Sequence, residues 1–600
     1  MISRRNFFNT CLIMAIILIL FQFSVLSRDF VNDYDENVFL TEMKLTGESA
    51  WNEQSADNTT QTVVYIGSEN DAPARIIRQW CGYTKRCFAQ CDSLENYVRP
   101  EDGNTVLLCL TRETVTSTAQ ADALSSMVQE GQNVLFCDMP EAENLTWMSS
   151  LRNLLGIKKI VQDEVELTGI KLFPGFLLGG EVIYSVEEEE EKLDQEIHIS
   201  APWYKRTSGT KSYMIGMLED EDVENEDLPS LIWRNSHGKG RVFVVNGPYM
   251  QDETGLGVLS AIMYELKDYD IYPVVNAQSL SVASFPDFAL ENTENMTKIY
   301  ERNMKQLQMN LLWPGIIASA NKGNYNMTCF FAPQLDYTTT SDLLTDDLTF
   351  YLKQFREQNA EAGLSFDHLA GVSLEDKLIA DQAFFNASNN AYSYGSAYVG
   401  SDEKDAFLTM KPLGITKNIR TITGVWEDED VLSYCTDNIV AQGVTANGFT
   451  HPYQQDLRIR AIETSLAYSN ILLDMKRIAW PEEDDPHWEI LSERFSSNIN
   501  TYWNKFTAFD KTTLLESDER TRAFFALDYN DIRTEDTVTL GITRGVGDHW
   551  FILRTHDESI EDIVGGDYVE IEKDVYLIHT AEKNLQIELK ERQNKQYYLP

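Results

Sequence analysis

The sequence predicts an α/β protein: an N-terminal apolar helix, a doubly wound parallel domain, a (β/α) barrel and a small antiparallel β tail. Three observations predict this order. From residue 62 onward, apolar strand-like runs alternate with helical stretches, the pattern of a parallel sheet covered by helices. The alternation continues for roughly 250 residues beyond 270, the length of a barrel. From about Thr537 it gives way to period-two strands without helices between them.

Arg4 and Arg5 precede an apolar stretch from Cys11 to Phe21 that continues to Leu26, and Arg28, Asp29 and Asp33 follow. Counted from Thr10 to Ser27, it reaches the lower limit for a membrane-spanning helix. Basic residues before it and acidic ones after it fit the positive-inside rule. Residues 1–9 therefore read as a basic cytoplasmic end and 10–27 as a single-pass anchor in the cell membrane, with the rest of the chain extracellular. Val25-Leu26-Ser27 leaves a cleaved signal peptide and secretion as the alternative. Residues 28–60 are polar and aperiodic, and read as a stalk.

Of 600 residues, 43% are hydrophobic and 11% aromatic, so a sizeable folded core is expected rather than disorder. Acidic residues outnumber basic ones 94 to 50, for a formal charge of −44. With no basic stripe to offset it, such a surface repels phosphate backbones and excludes nucleic acid as a partner. A polysaccharide is permitted, including a cationic amino-sugar polymer. Eight cysteines are too few for a disulfide framework. Cys109 and Cys137 sit in strand-like runs as small apolar residues. Cys81, Cys87 and Cys91 are close enough in sequence to bridge in an oxidising space, and lack a histidine that would suggest zinc.

Residues 61–270 form the first unit. Thr62 to Gly67, Thr105 to Leu110, Asn133 to Cys137 and Gly240 to Gly247 read as strands, with helices near 72–81, 119–130 and 255–267. The acidic runs Glu187 to Glu191 and Glu219 to Asp227 lack the spacing of a calcium loop and read as solvated loops. This unit resembles the flavodoxin-like, glutamine-amidotransferase-like domains that accompany sugar-active domains. No Gly-x-Cys-x-Gly elbow is present, so a structural or binding role is expected, without catalysis.

Residues 271–535 read as the barrel, opened by a strand at Tyr272 to Ala277. Further strands are expected at Asn326 to Ala332, Tyr392 to Val399, Ile419 to Val425 and Val444 to Phe449, with helices at 293–309 and 341–360. Chemistry is expected at the C-terminal strand ends. Residues 536–600 form the β-rich appendage.

Two motifs stand at such ends: Phe330-Phe331-Ala332-Pro333-Gln334-Leu335-Asp336-Tyr337, and Asn447-Gly448-Phe449-Thr450-His451-Pro452. Together they resemble the polysaccharide deacetylases of the NodB-homology superfamily, with Thr-Phe-Asp-Asp-Gly after one strand and His-Ser/Thr-x-x-His-Pro after a later one. The resemblance implies a divalent metal, zinc or similar, held by Asp336 and His451 with Asn447 as a third ligand. Such a metal polarises an acetamide carbonyl while a carboxylate takes the proton of the attacking water. Leu335 occupies the position of the family's base and Asn447 that of its first histidine. Asp336 itself and His579, in a closing Leu-x-His-like stretch, are the catalytic candidates. The whole chain also resembles an uncharacterised family of exported bacterial proteins, some tied to Pel-type exopolysaccharide production.

Three functions remain open from the sequence. The first is a metal-dependent polysaccharide deacetylase-like protein acting on or with an N-acetylated exopolysaccharide. The second is a non-catalytic glycan-binding or assembly protein. The third is a glycoside hydrolase, which needs two carboxylates across a cleft.

Overall fold

The computed structural model describes residues 61–99, 105–185, 199–219, 224–339, 341–388, 392–427, 429–481, 485–545 and 547–592, together with Met14. The reading as a single-pass membrane protein is corrected: no helix among the described residues is long and apolar enough to cross a membrane. Apart from Met14, the segment 10–27 lies outside the described residues, as do the stalk 28–60 and the acidic run Glu187 to Glu191.

The first layer is a nine-stranded sheet. Thr62–Ile66 lies between Cys87–Cys91 and Thr105–Leu110, and Val134–Phe136 and Gly240–Val245 follow, all parallel. The helices Ala72–Tyr83, Thr118–Gln129 and Thr254–Leu266 cover its faces, as their apolar spacing requires. Antiparallel strands Ser230–His237, Lys211–Met217, Gly169–Leu172 and Val182–Ser185 extend one edge, and Ile157–Leu167 with Ile199–Arg206 forms a separate ribbon. Cys109 and Cys137 are fully buried, as expected for small apolar residues, and Cys81, Cys87 and Cys91 are not bridged to one another.

The second layer is a curled sheet. Its parallel strands run Ala277–Ala283, Met327–Phe331, Glu361–Ser365, Ser396–Tyr398, Thr421–Gly424 and Val440–Gly443 in chain order, and Tyr468–Asp474 flanks the first of them. The segment after Gly443 changes partner: the Val444 N–H donates to Gly424 O at 3.0 Å, while the Thr445 N–H donates to Asn470 O at 2.8 Å. One extended stretch thus bonds to both margins of the half-barrel. Inside the curl, hydroxyls and amides replace the expected branched side chains. Ser281 donates to Asn470, Asn470 to Thr423 and Gln442 to Thr421, all within 2.8 Å, so these buried polar groups satisfy one another.

The third part is a pair of four-stranded antiparallel sheets facing one another across Leu540, Phe551, Ile578 and Ile587. Here the sequence reading is corrected. The strand expected to open the barrel, seen as Tyr269–Val274, pairs antiparallel with His549–Thr555 of this tail, and the curled sheet begins at Ala277. The helix Thr254–Leu266 packs on Tyr453–Leu466 so closely that a Cβ on Gly257 would stand 2.4 Å from Ala461 Cα, joining the first two layers through one apolar core.

Candidate active site at the mouth of the curled sheet

The C-terminal strand ends converge on a polar mouth. Ser284 follows the first strand with φ +54°, a strained conformation for a residue with a side chain. Its hydroxyl lies 3.1 Å from Ser365 Oγ and donates to Asp367 Oδ2 at 3.2 Å. Asp367 follows the strand Glu361–Ser365, and its other oxygen is 3.3 Å from Lys476 Nζ. Lys476 starts the short helix after Tyr468–Asp474, and its backbone N–H donates to Asp474 Oδ1 at 3.1 Å. Both ring nitrogens of His368 face backbone carbonyls, of Phe366 and Val372, so that imidazole is engaged locally.

Charge is crowded here. Burial, and then the neighbouring Asp367, push the Asp474 carboxyl up to about 6. Burial and Asp367 likewise raise Glu403. Tyr398, 7% exposed at the end of its strand, is kept in the phenol form by burial and by Asp367, Asp474 and Glu403. Beneath them the buried Lys377–Asp381 pair anchors the floor, with the Lys377 ammonium donating to Ser365 O at 2.9 Å and Tyr337 donating to Asp381. The mouth thus combines a carboxyl group paired with a lysine, a second carboxyl lifted to about 6, and a phenol. These are the groups that general acid–base hydrolysis needs.

The residues singled out by sequence are placed differently. Asp336 is bonded within its own turn, to the amide and hydroxyl of Thr338 and the hydroxyl of Thr339; the Thr338 hydroxyl leads in holding it below the usual carboxylate range. Its backbone and that of Leu335 are clamped by the Glu291 carboxylate at 2.9 and 2.7 Å. Asn447 Oδ1 accepts from the Phe449 N–H at 2.8 Å, closing a tight turn. His451 stacks on Tyr502 at 4.7 Å, with Nε2 4.0 Å from Asp456. Asp456 belongs to Lys505, Arg460 and Tyr184: burial works to raise it, yet the two cations hold it below the ordinary range. His579 lies in the tail between Asp548 and Asp567, 3.1 Å from each, and stacks on Trp550.

Asp336 and Asn447 thus have oxygens engaged by the backbone and hydroxyls of their own turns, and His451 lies against the Tyr502 ring. Among the described residues, no group of three or more His, Cys, Asp or Glu side chains is arranged to hold a metal ion.

Sequence reasoning passed over Ser284, Asp367, Asp474 and Lys476 because the strands carrying them were not recognised. A usable signal existed in Gly363-Leu364-Ser365-Phe366-Asp367-His368, an acid and an imidazole directly after a short apolar run.

No family model matches the chain, and no curated protein does. Among solved structures, the carbohydrate deacetylase Agd3 is similar over 88% of this chain and 98% of its own, at 10% identity and a TM-score of 0.48. The exo-beta-1,4-mannosidase Op5Man5 from Opitutaceae bacterium strain TAV5 is similar over 34% of this chain and 36% of its own, at 13% identity and a TM-score of 0.23. The cytoplasmic protein STM1381 from Salmonella typhimurium LT2 matches 34% of this chain over 100% of its own length, at 11% identity and a TM-score of 0.24. At such identities and scores, the likenesses carry no statement about substrate or reaction.

Proposed function

We propose that this chain is a carbohydrate-active hydrolase of deacetylase-like type, working on an N-acetylated polysaccharide at the mouth of the curled sheet. The observation that carries the proposal is the unequal carboxylate pair: Asp367 held by Lys476 and Ser284, and Asp474 lifted to about 6 beside it. A group titrating there both accepts and returns a proton near neutral pH. In this reading Asp474 takes the proton of a water attacking the acetamide carbonyl. Lys476 and the Tyr398 hydroxyl donate to the oxygen that becomes negative, and Asp474 returns the proton to the departing amine. Asp367 orients Lys476.

The N-terminal layer is read, as before, as a flavodoxin-like binding unit, on the support of its five parallel strands with Thr62–Ile66 between Cys87–Cys91 and Thr105–Leu110. The division at 270 and 535 belongs to the same proposal.

Incubation with N-acetylglucosamine oligomers tests the function. Acetate release that disappears in Asp474→Asn supports it. Shortened oligomers would instead make Asp367 and Asp474 the pair of a glycoside hydrolase. Binding without any product would leave a recognition protein.

A further inference from the structure

A second candidate site shares no residue with the mouth and lies at the carboxyl ends of the N-terminal parallel strands, where open α/β sheets take their ligands. A cleft of about 940 Å³ opens there, walled by the segments after Thr62–Ile66, Thr105–Leu110, Val134–Phe136 and Gly240–Val245 and by the Ile157–Leu167/Ile199–Arg206 ribbon. We propose that this cleft binds a protonated amino sugar. The choice of sugar rests on the reading of the mouth as a deacetylase, whose product would carry free amines.

Its charge is one-sided. Asp71, Glu113, Asp138, Glu141, Asp163 and Glu164 line the cleft, and among the described residues Arg112 is the one cationic side chain lining it. Arg112 is already neutralised, with Nε 3.0 Å from Asp138 and Nη1 3.8 Å from Glu141. Burial outweighs that arginine and raises the Asp138 carboxyl, so negative charge is under strain in the wall. An anionic ligand would be repelled.

Acidity alone would describe a solvated rim. Two buried side chains give the cleft a recognition surface. Asn246 is 2% exposed, and both its amide hydrogens are committed, to Pro202 O at 3.0 Å and Ser230 O at 2.9 Å. Its Oδ1 accepts no hydrogen bond among the described residues, and Asn246 lines the cleft. Tyr204 is 3% exposed and also lines the cleft, and its hydroxyl makes no hydrogen bond among the described residues. The two are neighbours, because Asn246 grips the carbonyl two residues before Tyr204. An acceptor and an O–H without protein partners, on side chains otherwise buried in the wall, are open to a ligand offering both donors and acceptors.

A sugar hydroxyl or ammonium satisfies Oδ1, a ring or hydroxyl oxygen satisfies Tyr204, and the carboxylates compensate an ammonium. Pro140, Pro202 and Pro248 present apolar surface to a pyranose face. A neutral acetylated sugar would match the hydroxyl contacts and forfeit the charge. A plain polyamine would do the reverse.

The test is calorimetric titration of the chain carrying Asp474→Asn, which stops turnover at the mouth, with a glucosamine hexamer, an N-acetylglucosamine hexamer and spermidine as probes. The glucosamine hexamer is expected to bind at least about 10-fold more tightly than its acetylated counterpart. The double variant Glu113→Gln/Asp163→Asn should weaken it about 10-fold, and Tyr204→Phe by about 3- to 10-fold without altering spermidine binding. Unchanged thermal midpoints confirm that these substitutions leave the fold intact. Equal affinity for the two hexamers would overturn the proposal. So would indifference to all three substitutions, or a parallel loss of spermidine binding in Tyr204→Phe. Acetate release by the unsubstituted chain is measured separately, so failure at the mouth and failure at the cleft are told apart.

Discussion

The Lys476 ammonium stands 3.3 Å from Asp367 Oδ1, at the centre of the polar mouth. Asp367 in turn is, after burial, the second cause that lifts the Asp474 carboxyl to about 6. Replacing Asp367 by Asn removes one of the two causes of that elevation and leaves burial in place. The acid limb of the pH–rate profile is therefore expected to move to lower pH, by less than about 2 units. A profile that stays in place would remove Asp474 from the reaction.

Stability should report the same group. Asp474 titrates higher in the folded chain than an ordinary aspartate, so its protonated form favours folding at low pH and that advantage is lost as pH rises through about 6. Asp474→Asn is thus expected to raise stability at pH 8 by up to about 2–3 kcal/mol and to have little effect at pH 4. Denaturant midpoints at the two pH values check this.

Asp456 behaves in the opposite sense. Lys505 at 2.8 Å and Arg460 at 3.0 Å hold it ionised, so its contribution is present above the ordinary aspartate range and fades as pH falls below it. Asp456→Ala leaves Arg460 buried without its partner, and a loss of about 3–5 kcal/mol is expected. Tyr184, on the N-terminal layer, donates to the same carboxylate at 2.6 Å, so limited proteolysis should also show that layer loosening.

Gly257→Val tests the seam between layers. The added Cβ meets Ala461 Cα at 2.4 Å, a backbone-bearing contact that no rotamer relieves. A cost of about 1–3 kcal/mol is expected, read as a lower thermal midpoint.

What was legible in the sequence follows from what each strand buries. Thr62–Ile66, Thr105–Leu110 and Met327–Phe331 are apolar on both faces and announce themselves. The strand Glu361–Ser365 reads Glu-Ala-Gly-Leu-Ser, because its inner face hydrogen-bonds instead of packing: Thr328 donates to Glu361, and Glu361 accepts from the Leu515 N–H. Ala277–Ala283 hides for the same reason, with Ser279 and Ser281 turned into the polar interior. The site residues sit on these polar-lined strands, so hydrophobic patterning passed them by. Asp336 and Asn447, by contrast, are turn formers, and as a local pattern a turn-capping carboxylate after a strand looks the same as a ligand. The segment 10–27, read as an anchor from its apolar run, lies outside the described residues apart from Met14, and no described helix is long and apolar enough to cross a membrane.

The strand Tyr269–Val274 is made early, yet its hydrogen-bonding partner, His549–Thr555, belongs to the last part of the chain. On a ribosome, that strand emerges with one margin unmatched and waits while the intervening sheet and helices are synthesised. The C-terminal sandwich therefore acts as a closing clasp rather than an ornament. A message truncated before residue 549 would release a chain with Ile271 and Tyr272, buried in the finished protein, left in search of a partner.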